Sequence, residues 1–284
     1  MGASMKTVDI FPSEGAMQMS LRKASVSIFC QAGEPWVMLD EHQIHSRIPD
    51  LVLARIDTEA LVERINGGWG RALSPTELRA LRALRPDRGR SLASAAEEMR
   101  VGPERARETL HRLVVDTFVE RTPSGSYARL APVRPIVDRV IAIEAKRCDL
   151  GRAFSQARAH SACADVSVVA FDLVYRRRAE KCRDLYSKEK IGLLGLSAVD
   201  GSWEYILPGR RSRLLAALGR ALAAERTLAR LLGGPVRRLP QTRLPSGSPE
   251  SDYPTQPLLL GSVPKGLRRS LPGCERPPRD LLPA

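Results

Sequence analysis

Asp50, Glu144 and Lys146 are the residue types that phosphodiester hydrolysis requires. Asp50 follows Pro49 at a turn and precedes the apolar run Leu51-Val52-Leu53-Ala54. Glu144 and Lys146 close a second apolar run that starts at Val140. Strand side chains alternate between faces, so Glu144 and Lys146 share a face. A lysine in an otherwise apolar strand is costly unless it is paired. Two carboxylates can hold Mg²⁺ or Mn²⁺, and Mg²⁺ takes few protein ligands and keeps several waters. Such an ion polarises a phosphate and lowers the pKa of a bound water. A lysine on the same face orients that water and offsets charge in the transition state. The competing use of Glu144 and Lys146 is an inert ion pair on a sheet edge. Asp40 and Glu41 are both candidates for a further acid from the preceding strand.

The elements around these residues must bring them together. Residues 151–163 read as a helix, 166–171 as a strand and 174–190 as a very basic helix with Arg176-Arg177-Arg178. Strands over 191–198 and 203–207 flank Asp200-Gly201, a hairpin signal. Residues 213–232 carry leucines near i, i+3, i+4 spacing and read as a helix stopped by Gly233-Gly234-Pro235.

Between Asp50 and Glu144 lie 144 − 50 = 94 positions, too many for a simple hairpin. A segment with its own pattern fills them. Ser74-Pro75-Thr76-Glu77 is a capping box with proline at the first helical position. Ser91 caps a second short helix, 92–99, and Pro103 opens a third, with Ala106, Leu110, Leu113 and Val114 inward. Residues 118–121 and 127–130 read as strands around a Thr-Pro-Ser-Gly-Ser turn. Three helices and a hairpin follow winged helix-turn-helix order. Its third helix would enter a DNA major groove with Arg105, Arg107, His111 and Arg112 outward. The segment 73–130 holds eleven Arg and eight acidic residues, a net charge of only +3. Glu104 and Glu108 dilute the positive face. An insertion of this kind is tolerated at an exposed turn.

Pro49-Asp50 and Glu144-Ala145-Lys146, followed by a helix with Gln156 and then a strand, resemble the PD-(D/E)XK nuclease-like phosphodiesterase superfamily, in particular members with an inserted winged helix. The resemblance spans 37–207, about 60% of the chain. It implies a restriction-endonuclease-like α/β core, a mixed sheet flanked by helices. It implies Asp50 and Glu144 as metal ligands, Lys146 as the catalytic lysine and Gln156 as a support for the site or for DNA. Family members often carry an aromatic four residues after that glutamine, where this chain has His160.

Composition bounds the rest. Lys+Arg 45 against Asp+Glu 32 gives a net charge of +13, which favours phosphate-rich partners such as DNA. An arginine-favouring genome would raise the same number. Aromatics at 5% disfavour a carbohydrate-binding platform. The five cysteines have no C-x-x-C spacing, so a zinc ribbon and a disulfide framework are not expected. No run of 18 apolar residues and no leader-like N-terminus point to a cytoplasmic protein without membrane contact. The expected organisation is 1–66 as the first part of the core, 67–130 as the winged helix and 131–235 as the second part. Residues 236–284, with ten prolines, read as a disordered basic tail in which Leu258-Leu259-Leu260 is a possible docking element. The expected function is a metal-dependent nucleic-acid phosphodiesterase with winged-helix DNA binding. The alternative is a non-enzymatic DNA-binding regulator on an inactive nuclease-like scaffold.

Overall fold

The computed structural model describes residues 10–233, apart from 32, 42–43, 45–47, 87, 131–133 and 213–215, together with 258–260. Runs of β-branched and aliphatic residues make the central strands. β1 (Trp36–Asp40), β2 (Leu51–Ile56), β5 (Val137–Ala145), β6 (Val166–Asp172), β7 (Gly192–Leu196) and β8 (Trp203–Leu207) form one mixed sheet. The short strand β9 (Leu258–Leu260) pairs antiparallel with β1, so the order is β8-β7-β6-β5-β2-β1-β9. β1 pairs antiparallel with β2 and β2 with β5; β5, β6 and β7 are mutually parallel, and β8 pairs antiparallel with β7. Every residue of β6 is buried, as expected of a strand covered on both faces.

Three layers result. Helix α1 (Glu14–Phe29) covers one face, burying Met17 and Leu21 against Trp36, Leu53, Ile141, Ile143 and Val168. Helices α6 (Leu150–His160) and α7 (Arg176–Lys188) cover the other face beside β6, β7 and β8. Helix α8 (Ala217–Leu231) covers the same face beside β2 and β5, with Ala223, Ala224 and Leu228 on Val52, Ala54, Val140 and Ala142. Gly219 lets α8 come close: a Cβ there would stand 2.4 Å from the Ala162 carbonyl oxygen. The Asp200-Gly201 turn joins β7 to β8, with Gly201 at φ +69°.

Helix α2 (Thr58–Asn66) leads from β2 to a smaller unit. It comprises α3 (Pro75–Ala83), α4 (Leu92–Met99), α5 (Pro103–Val115) and the hairpin β3 (Val119–Arg121) with β4 (Tyr127–Arg129). The Ser74/Glu77 capping box forms at α3. Arg90 adds a bridge that no alternation announced, exchanging both backbone hydrogen bonds with Tyr127. The unit has its own core, centred on Leu81, Met99, Leu110, Leu113 and Phe118. Leu218, Ala221 and Leu222 of α8 join that core. At the interface Arg64 of α2 donates two hydrogen bonds to Glu225 of α8, at 2.6 and 2.7 Å, with both side chains buried.

Several element boundaries depart from the sequence reading. The second site strand begins at Val137, and Lys146 lies just beyond its end. The basic helix starts at Arg176, after a 3₁₀ turn over Leu173–Tyr175 that Asp172 caps. The last helix starts at Ala217 rather than 213. The N-terminal helix α1 was not anticipated. The tail from 236 lies outside the described residues except for β9, where the leucine run is strand.

Candidate active site

β2 and β5 are adjacent despite the 94 positions between Asp50 and Glu144, with Leu51 opposite Ile143 and Ile56 opposite Val137. The insertion leaves and returns at the Ile56/Val137 end. Asp50 and Lys146 sit at the other end. There Asp50 Oδ2 accepts a 2.7 Å hydrogen bond from the Ala145 backbone N–H. That bond splices the start of β2 to the end of β5.

Lys146 Nζ is the hub of the cluster. It lies 3.2 Å from Glu144 Oε1, 3.7 Å from Asp50 Oδ2 and 3.1 Å from Glu14 Oε2. It also donates to the Ala145 carbonyl at 3.2 Å. Burial alone would push its pKa down, but Asp50, Glu144 and Glu14 outweigh burial and raise it, so the ammonium is charged. Asp50 is pushed up to about 6, by burial first and then by Glu144, against the opposing pull of Lys146 and the Ala145 N–H.

Glu14 is the carboxylate that sequence reading missed. It opens α1, behind the N-cap Ser13. The segment before it is clamped to the sheet end: Phe11 N–H donates to Asp172 Oδ2 at 2.9 Å. Arg147 donates to the Phe11 and Pro12 carbonyls at 3.0 and 3.2 Å. The only legible signal was Ser13-Glu14, a cap followed by an acid, with Met17 and Leu21 at helical spacing. The two candidates named for this role, Asp40 and Glu41, have no contact with Lys146. Arg22 takes Asp40 at 2.6 Å, and Glu41 is exposed at φ +43°, its backbone N–H on the Asp50 carbonyl.

The other sequence candidates divide. His160 Nε2 lies 3.2 Å from Glu144 Oε2, with both side chains about 2% exposed or less. With Glu144 ionised its oxygen can only accept, and Nε2 is then the donor. Glu144 is thereby held from both sides, by the lysine on one oxygen and the histidine on the other. Gln156 stands one turn before His160, and its Oε1 is buried without a hydrogen-bond partner. On α5, Arg107 is tied to Glu104 at 2.8 Å and Arg112 lies 3.8 Å from Glu77. Arg107 and His111 line a cleft of about 460 Å³ with Leu92, Val114, Arg121 and Tyr127, between α5 and the hairpin.

The donor set suits a hard divalent cation. Asp50, Glu144 and the Ala145 carbonyl are oxygen donors at one strand end, and Mg²⁺ and Mn²⁺ prefer oxygen. Among the described residues, the carboxylates converge on the lysine rather than forming a ready cage of three.

The chain matches no family model, no curated protein and no solved structure. Among the described residues, no helix is long and apolar enough to cross a membrane. Cys30, Cys148, Cys163 and Cys182 are free thiols.

Proposed function

We propose that this chain is a cytoplasmic, metal-dependent nucleic-acid phosphodiesterase with a restriction-endonuclease-like core and an inserted winged helix that contacts DNA. One observation carries the reading. Two acids and a lysine from positions 94 to 96 apart meet at one end of the sheet, with Lys146 Nζ 3.2 Å from Glu144 and 3.7 Å from Asp50. An ion pair that served only the fold would not need a buried lysine shared by three carboxylates, because a well-packed apolar group is as stable.

In this reading Asp50 and Glu144 hold Mg²⁺ or Mn²⁺, with the Ala145 carbonyl beside them. The ion supplies Lewis acidity and a water of lowered pKa when bound. Lys146 orients the attacking water and stabilises charge that develops on the phosphate oxygens. Glu14 offsets the lysine and faces solvent, where it can accept a hydrogen bond from the substrate side. Asp172 and Arg147 keep Glu14 in place.

The second reading, a non-enzymatic regulator, draws on the same cluster: each of its three carboxylates already has a lysine contact without a metal ion. A plasmid-degradation assay with Mg²⁺, Mn²⁺ or EDTA separates the two. The enzyme reading expects cleavage with either metal and none with EDTA or in Lys146→Ala. Wild-type protein that binds DNA and cuts no duplex, single-stranded or RNA substrate would leave the regulator.

A further inference from the structure

A strongly basic helix, α7, lies beside the candidate site and away from the inserted unit. Helix α7 carries six cations and two acids over 13 residues. Helix α5 carries three arginines and two glutamates over the same length, and one arginine is already bound to Glu104. β5 and β6 run parallel with Ala145 beside Ala170, so Asp172 ends β6 at the site. Its backbone N–H reaches the Arg147 carbonyl at 3.3 Å. Helix α7 begins four residues later and runs back along the sheet.

Ala179 and Tyr186 face inward from α7. Helical spacing then sets Arg177, Lys181 and Lys188 along the opposite side, with Arg178 next to them. Asp184 is the one acid on that stripe. Arg176 is satisfied by Glu180 and Glu204. Among the described residues, Arg177, Arg178, Lys181 and Lys188 are exposed and none has a carboxylate within 4 Å. Arg177 with Lys181, and Arg178 with Lys181, are like-charge neighbours at i, i+4 and i, i+3. Such pairs weaken a helix. The fold gains nothing from them, whereas a polyanion would.

We infer that the outer face of α7 is the track on which the substrate's phosphodiester backbone leaves the site. The inference rests on the phosphodiesterase reading for its polymer, and it moves the main phosphate contacts from α5 to α7. A backbone followed by lysine and arginine releases counterions, so affinity falls with salt at a slope set by the number of phosphates neutralised.

The test is the full-length triple variant Arg177→Gln, Arg178→Gln, Lys181→Gln, titrated with labelled duplex and single-stranded oligonucleotides over a salt series. The salt slope should fall by about 2 to 3 units, since each lost contact removes about 0.7 to 0.9. Mn²⁺ affinity at the acidic cluster should not move, which shows that the fold is intact. An unchanged slope overturns the inference. So does a wild type that binds phosphatidylserine vesicles and no oligonucleotide. If the slope falls while wild type cleaves nothing, α7 stands as a nucleic-acid surface and the enzyme reading fails. If wild type cleaves with metal and the variant binds and cleaves like it, the enzyme stands and the α7 track fails.

Discussion

Lys146 stands where two acids could repel each other, and its removal separates chemistry from binding. Lys146→Ala should lower the cleavage rate about 10²–10³-fold, the usual loss for one preorganised electrostatic group. Its Mn²⁺ affinity should not fall, because the lysine is no ligand and competes with a cation for Asp50 and Glu144. The lysine's catalytic role is on charge that develops in the transition state. Asp50→Ala should instead lose metal affinity, with partial rescue by excess Mn²⁺, read by calorimetric titration. His160 gives a third distinct outcome. It contacts Glu144 and is itself buried, so in the proposed reading it is a positioning residue. His160→Ala should weaken Mn²⁺ binding and rate together, because Glu144 loses its second tether. His160→Gln, which keeps a donor, should recover part of both. Equal defects in Ala and Gln would assign His160 to packing alone.

Helix α8 ties the two units together. Leu222 is in the core of the smaller unit, and Ala223 and Ala224 are in the core against the sheet. Glu225 accepts both Arg64 hydrogen bonds and the Leu73 N–H at 2.7 Å. Glu225→Ala would leave the Arg64 guanidinium buried without its carboxylate. Breaking a buried pair in this way costs about 3–5 kcal/mol. Chemical denaturation should report that loss, together with easier proteolysis between α2 and α3. Gly219→Ala is the packing counterpart. Its new methyl meets a backbone carbonyl, which cannot swing away, so α8 must shift and roughly 1–3 kcal/mol of stability should be lost.

Across the whole molecule, the smaller unit and the acidic cluster lie at opposite ends of β5. The chain enters and leaves at Ile56 and Val137, and α8 is pinned to that same end through the Ala216 N–H on the Ala162 carbonyl at 3.1 Å. β5 has nine residues. At ~3.3 Å per residue the strand spans roughly 26–30 Å. That corresponds to about 8 base pairs at ~3.4 Å each. Under the proposed reading, a duplex held by the smaller unit should therefore be cut outside the stretch that this unit protects, at an offset of about 8 base pairs or more. Footprinting with a Lys146→Ala protein, set against cleavage mapping with wild type, measures the offset. Cuts inside the footprint of that unit would refute the arrangement.

Local pattern determined much of this protein. The capping box at Ser74, the proline at the start of α5 and the glycine turn at 201 depend on neighbours within a few residues, and each forms where the sequence places it. The Pro49-Asp50 and Glu144-Ala145-Lys146 pattern named three members of the cluster for a similar reason: two apolar strands ending on charge demand a partner at the same edge. What pattern could not determine was who completes the cluster. Glu14 arrives from a helix 132 positions away from Lys146, held there by Asp172 and Arg147. Asp40, much nearer in sequence to Asp50, turns to Arg22 instead. Nor could periodicity show that Arg107 would be spent on Glu104 while Arg177, Arg178, Lys181 and Lys188 of α7 stayed without a carboxylate among the described residues. Hydrophobic period fixes which side of an element is buried. Which charges meet is decided only when the layers close, because an ion pair depends on distance in space and not on separation along the chain.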